Sequence, residues 1–491
     1  MIIPYKVGVP SLQNCLRKLL IAGFCLLPAS LFWLSCGGSS SKGPHTSGVA
    51  YRAFLSNNVS AGTSSAGVYI VNAQIDVRPA GVSPIGAGNT PGMMVVTPNR
   101  AQTLVFSGDN LPSSDNQFSV INNSSEANSA HVTLPGYTES FIVSPDSSTA
   151  YIAVPNAPVV NQSQGAIEIF SLSSGAITGE IDIPSAHYLA MNNGGTRILA
   201  FSDVLASLAA PCDTTPSYLF VVTPSNVGLQ PCVTTPIPGF DRPVQASFTS
   251  DDTTAYVVNC GAECGGTQAS IQTLDMTTNP PTPGGTTVTC TAGGNPPCTG
   301  TADVPAASET LTIGSTMYLA GTPYANGAPS QPCTGEQTAA TTCGLLTIFD
   351  TSTMSITNAA PIVITDGYHN RIAMGANGQL FIGARTCTEI IPPQPIPPGA
   401  EIRGCLSIYN TLTTAVGSAP AGGVLIPAFN GDVTGIQPIS TRLVTYVAQG
   451  GSLRIYDDTI DAFEYNPNNP NNPGQIFGLV GNFIDVKTVD F

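Results

Sequence analysis

The chain has 491 residues, enough for two or three ordinary domains or for one large domain built from repeats. Only 9% of residues are charged while 42% are hydrophobic, which excludes a disordered chain, and 50 Gly with 42 Pro disfavour a helical one. A net charge of −15 excludes nucleic acid as a partner, because phosphates require a positive footprint.

The first element is a targeting segment. Arg17 and Lys18 precede an apolar run from Leu19 to Leu27 that continues through Leu31-Phe32-Trp33-Leu34, the pattern of a signal-peptide core. It meets Ser35-Cys36-Gly37-Gly38 and then a small, polar stretch. Leu34-Ser35-Cys36 resembles the bacterial lipobox, although Trp33 stands where that motif usually has an aliphatic residue. The resemblance implies cleavage before Cys36, a lipid on its sulfur and attachment to a membrane. The expected division is therefore residues 1–35 as signal peptide, 36–48 as lipidated Cys and flexible tether, and 49–491 as one folded domain. An uncleaved anchor and an ordinary secretory signal are the alternatives.

From about residue 49 a strand–turn–strand–loop–strand phrase repeats. Aligning Tyr51, Leu104, Tyr151, Ile198, Tyr256, Tyr318, Leu380 and Leu443 gives a drifting period of roughly 50 to 60 residues, as propeller blades with loop insertions would have. Each unit then offers a further strand, for example Gly165-Ala166-Ile167-Glu168-Ile169-Phe170 and Gly451-Ser452-Leu453-Arg454-Ile455-Tyr456, with apolar and polar residues alternating. Tyr151, Tyr256 and Tyr318 are expected in the blade core. The fold class is all-β, a β-propeller of four-stranded antiparallel blades.

Val143-Ser144-Pro145-Asp146, Ala255-Tyr256-Val257-Val258-Asn259 and Leu346-Thr347-Ile348-Phe349-Asp350 carry a resemblance to the YVTN-type β-propeller repeat of bacterial surface-layer and envelope proteins. Eight units can be counted, where that family usually has seven. The first unit opens without an inner strand, and the tail from Gly481 to Val489 could supply it; the tail could instead finish the last blade. Eight blades are preferred, with seven as the alternative.

Thirteen cysteines fit an oxidising compartment. Cys15 and Cys25 fall in the signal and Cys36 is the lipid site. The simplest pairing of the rest is consecutive: Cys212 with Cys232, Cys260 with Cys264, Cys290 with Cys298, Cys333 with Cys343, and Cys387 with Cys405. The middle four, Cys260, Cys264, Cys290 and Cys298, allow other connectivities. No C-x-x-C pair suggests zinc, and no metal or cofactor is expected.

No nucleophile elbow, P-loop or zinc-protease motif occurs. Polar residues near the starts of inner strands would line one mouth of the channel: Glu139, His187, Asp241, Arg242, Asp366, His369 and Asp432. Such positions are polar in any wet channel, and a ring of His and carboxylates there could also polarise a carbonyl. The favoured function is a non-catalytic binding or scaffold module in the bacterial envelope, facing an envelope protein or a glycan. A lactonase-like enzyme using the channel mouth and a surface-layer or adhesin-like structural role are the alternatives.

Overall fold

The computed structural model describes residues 46–490 except 60–64, 110, 112–113, 160–162, 229–231, 291–297, 326–327, 330–342, 361, 390–403, 413–421, 466, 468–473 and 477–478. The signal segment, Cys36, most of the tether and Cys333 lie outside the described residues.

The protein is an eight-bladed β-propeller. Blades 2 to 8 open with inner strands Pro91–Val96, Ser140–Val143, Ala186–Met191, Pro243–Phe248, Glu309–Ile313, Tyr368–Met374 and Val433–Ile439, and each pairs antiparallel with the strand that follows it. Blade 1 takes its inner strand from the C-terminus: Phe483–Thr488 pairs antiparallel with Arg52–Asn57. The eight inner strands contact one another in a closed cycle, so the ring has no open edge. This settles eight blades over seven and gives the tail the closing role.

The second strands, from Arg52–Asn57 to Val444–Gln449, begin within two residues of the aligned positions, most of them just before. Several are buried along their whole length, because each middle strand has a neighbouring blade on both faces. Eight apolar clusters fill the eight gaps between blades; one joins Phe118 and Leu104 of blade 2 to Ile152 and Phe170 of blade 3, and another joins Tyr446 and Ile455 of blade 8 to Leu55 and Tyr69 of blade 1. Tyr151 and Tyr256 are buried in these clusters, and Tyr318 is half-buried against one.

Outer strands are less regular. In blade 1 only the bridges Asn72↔Val77 and Val68↔Ile85 mark the fourth position, and in blades 5 and 6 it is split in two, Thr282–Pro283 with Thr301–Asp303 and Ser355–Ile356 with Ile362–Ile364. Gly165 opens the third strand of blade 3 at φ +129°, where a Cβ would sit 2.1 Å from the Ser185 nitrogen. That turn therefore needs glycine.

The ring has two unlike faces. On the mouth face inner strands begin and second strands end; on the turn face inner strands end in short turns such as Asp146–Ser148 and Asp251–Thr253, where Asp side chains cap the backbone. Disulfides join Cys212 to Cys232, Cys260 to Cys264, Cys290 to Cys298 and Cys387 to Cys405, resolving the open connectivity as consecutive. Cys343 is also disulfide-bonded. Such bonds are those of an extracellular or periplasmic protein. Among the described residues no helix is long and apolar enough to cross a membrane.

Candidate functional site at the channel mouth

The mouth is shaped by β-bulges. Pairing skips His187 in blade 4, where Ala186 faces Ser202 and Tyr188 faces Phe201. The same irregularity falls at Val244 in blade 5, Asn370 in blade 7 and Thr434 in blade 8. A bulge adds one unpaired residue and re-aims its side chain. His187 thereby reaches across to blade 3.

The His187 imidazole lies between two carboxylates. Nε2 meets Glu139 Oε2 at 3.0 Å and Nδ1 bonds Asp203, which lies in the second strand of the same blade, Ile198–Ala206. Desolvation opposes the charge on His187, but the bonds to Asp203 and Glu139 outweigh it and raise the group to about 9. Its hydrogen bond in turn holds Glu139 down to about 2 against desolvation. Near neutral pH His187 is therefore a fixed imidazolium and a poor base. Tyr137 donates to Glu139 Oε1 at 3.1 Å, and burial with that carboxylate pushes Tyr137 up to about 12.

Opposite stands blade 7. The Tyr188 and Tyr368 hydroxyls meet at 3.1 Å, and the Tyr188 ring stacks on His187 with centroids 4.1 Å apart. Arg385 Nη1 lies 4.0 Å from Glu139 Oε1, and Asn370 accepts from Arg385 Nε at 2.7 Å with its amide oxygen turned to the guanidinium. Glu309, on the inner strand of blade 6, is pushed up to about 7 by desolvation, with Arg371 pulling the other way. A cavity of about 120 Å³ opens beside the tyrosines.

Glu139, His187 and Arg242 thus gather at one place, and Arg242 lines the cavity with His187. The other residues singled out in the sequence do different work. His369 is not part of the mouth: it is wholly buried, its Nε2 meets the Thr365 carbonyl at 2.9 Å, and desolvation lowers it to about 4. Asp241 staples the following loop by accepting from the Thr267 and Gln268 amides at 2.7 and 2.9 Å. Asp432 accepts from the Thr386 amide and Asp366 from the Thr388 amide, each at 2.8 Å, so both brace the loop closed by Cys387–Cys405. Among the described residues no group of three or more His, Cys, Asp or Glu is placed to hold a metal.

Asp203, Tyr188, Tyr368, Arg385 and Asn370 escaped the sequence reading. Tyr188 and Tyr368 adjoin the two histidines that did stand out, so adjacency to an inner-strand start was their available signal. Asp203 lies toward the end of one second strand and Arg385 ends another, and only strand pairing brings those parts to the mouth.

No protein-family model and no curated protein sequence matches the chain. Among solved structures it is similar to hydrazine synthase from Kuenenia stuttgartiensis, with 11% identity, TM-score 0.49 and coverage of 78% of this chain and 99% of that one. A functionally unknown protein from Desulfotomaculum acetoxidans matches with 15% identity and TM-score 0.43 over 76% of this chain and 98% of that one. A eukaryotic initiation factor matches with 10% identity and TM-score 0.47 over 89% of this chain and 98% of that one. Likeness at this level carries no functional argument.

Proposed function

We propose that the chain is an envelope β-propeller of the YVTN-repeat kind, held to a membrane by lipid on Cys36, that acts as a non-catalytic binding or scaffold module for an envelope protein or glycan. The observation that supports this reading is the uneven mouth face. The connections between second and third strands are long in adjacent blades, 322–343 in blade 6 and 386–405 in blade 7, and Cys260–Cys264 and Cys387–Cys405 tie the connections of blades 5 and 7. Beside blade 7, blade 8 makes the same connection with Gly450 and Gly451 alone, at φ 56° and 73°. A disulfide-tied connection beside a small cavity, with Cys264 on its lining, suits recognition, since loops on a stiff scaffold carry binding.

A lactonase-like reading would need acid–base groups converging at the mouth. The two histidines it would use are held apart in role: one is an ion-paired cation and the other is enclosed in a blade.

Cross-linking in intact cells, followed by mass spectrometry of the envelope, tests the proposal with native chain against Cys36→Ser. The expected result is a lipidated N-terminal peptide on the native chain and repeated links from mouth-face loops to one envelope component, both lost in the variant. A native chain without lipid and with residues 1–35 attached overturns the anchor. A lipidated chain with no recurrent neighbour overturns the scaffold role, and links only between copies of itself point to a surface-layer role.

A further inference from the structure

We infer that the cavity at the mouth is a carboxylate-binding site in which Arg242 is the anchoring cation. This rests on the reading of the mouth face as a binding surface and names the chemistry that it would take.

Arg242 is placed with some strain. It occupies left-handed φ, +55°, directly before the inner strand of blade 5, as Ser185 does at φ +49° in the equivalent place of blade 4. Residues with a Cβ enter this region only where the surroundings enforce it. The guanidinium lies over the Tyr218 ring, 4.9 Å from its centroid, and Nη1 donates to the Asp203 carbonyl. Nε is buried with no partner. Among the described residues no carboxylate is in ion-pair contact with this side chain, although its charge helps hold Asp241 below the usual carboxylate range, whereas Arg52, Arg385 and Arg442 each have at least one such contact. A buried charged donor without an acceptor is costly, and the planar fork of Arg suits a two-oxygen acceptor.

The rest of the cavity fits the same guest. Tyr188 and Tyr368 share one hydroxyl hydrogen, so the second remains to be donated into the space they line. Asp203 and Glu139 would repel an anion, yet both are bonded to the His187 imidazolium, and Arg385 stands beside Glu139. With Arg242 the cluster holds three cations against three carboxylates, Glu139, Asp203 and Asp241, and Asp241 is already tied to the Thr267 and Gln268 amides. The volume of about 120 Å³ is well below the roughly 300 Å³ of a pocket that encloses a drug-sized molecule. It seats one acid group, with the remainder of the ligand outside. That group belongs either to a free organic acid or to an acidic polysaccharide.

Calorimetric titration of the folded protein with glucuronate, a galacturonate hexamer and glucose tests this. Both acids are expected to bind and glucose not to bind. Arg242→Gln is expected to weaken both at least tenfold with an unchanged melting temperature, and Arg242→Lys to retain part of the affinity. Arg197→Gln, on the turn face, serves as the control and leaves binding unchanged. A hexamer that binds more tightly than the monomer assigns the site to a polymer-borne acid; equal affinity assigns it to a free one. Glucose binding as well as glucuronate, no binding of either acid, or binding indifferent to Arg242→Gln overturns the inference. If the cross-links of the mouth-face loops persist in that case, the binding-module reading still stands.

Discussion

At the residue scale the two inner-strand histidines have opposite electrostatics, and pH separates them. His187 is raised to about 9 by its carboxylates, so its contribution is full below about 6.5 and fades as pH rises through 9. The stability gap between wild type and His187→Gln, measured by urea unfolding, is expected to be widest near pH 6 and to close above pH 9. Glu139 stays ionised across that window. His369, lowered to about 4, binds its proton more readily when unfolded, so the wild type should lose stability as pH falls from 6.5 toward 4. His369→Gln should lack that part of the acid slope. The sequence placed both histidines at inner-strand starts, which is correct. It could not reveal the bulge register, by which His187 is the unpaired residue whereas His369 precedes one and faces Ala384 inside the blade. A shift of one residue exchanges mouth for core.

Strands and their ties form the next scale. The closing strand Phe483–Thr488 is held past its end by Asp490, whose carboxylate takes Arg52 Nε at 2.7 Å and Nη2 at 2.8 Å, both side chains being 1% exposed. Arg52 also meets Glu126 of blade 2 at 3.0 Å. Removing Asp490 takes the two-oxygen partner from a buried guanidinium and leaves it Glu126 alone, so Asp490→Ala should cost about 3 kcal/mol in urea unfolding. Replacing Cys387 and Cys405 together by Ser frees a loop of sequence separation 18 and should cost a similar amount, about 3 kcal/mol, in the same assay. The strands were legible because middle strands, buried on both faces, are short dense apolar runs between turns. Outer strands were not: they face solvent on one edge, carry little apolar signal, and in blades 5 and 6 are broken by insertions.

On the scale of the whole molecule, blade number was the open question, and sequence could not close it because closure is a pairing of residues more than 400 apart, such as Leu55 with Val486. The repeat supplied eight units; only the ring geometry assigns the tail. The start of the described chain is fixed too. Ser47 donates from its amide and hydroxyl to Glu126 at 2.5 and 2.6 Å, and Thr46 donates to the Ser125 carbonyl at 3.0 Å, all at a turn between the third and outer strands of blade 2. That turn is on the turn face. The two faces are therefore distinct: the described chain starts on the turn face, and the cavity opens on the mouth face. On lipid vesicles bearing the Cys36-lipidated protein, a fluorophore at Val204→Cys on the mouth rim should transfer less energy to a membrane dye than one at Ser148→Cys. A visitor to the cavity would arrive on the face opposite Thr46, without having to pass the start of the described chain.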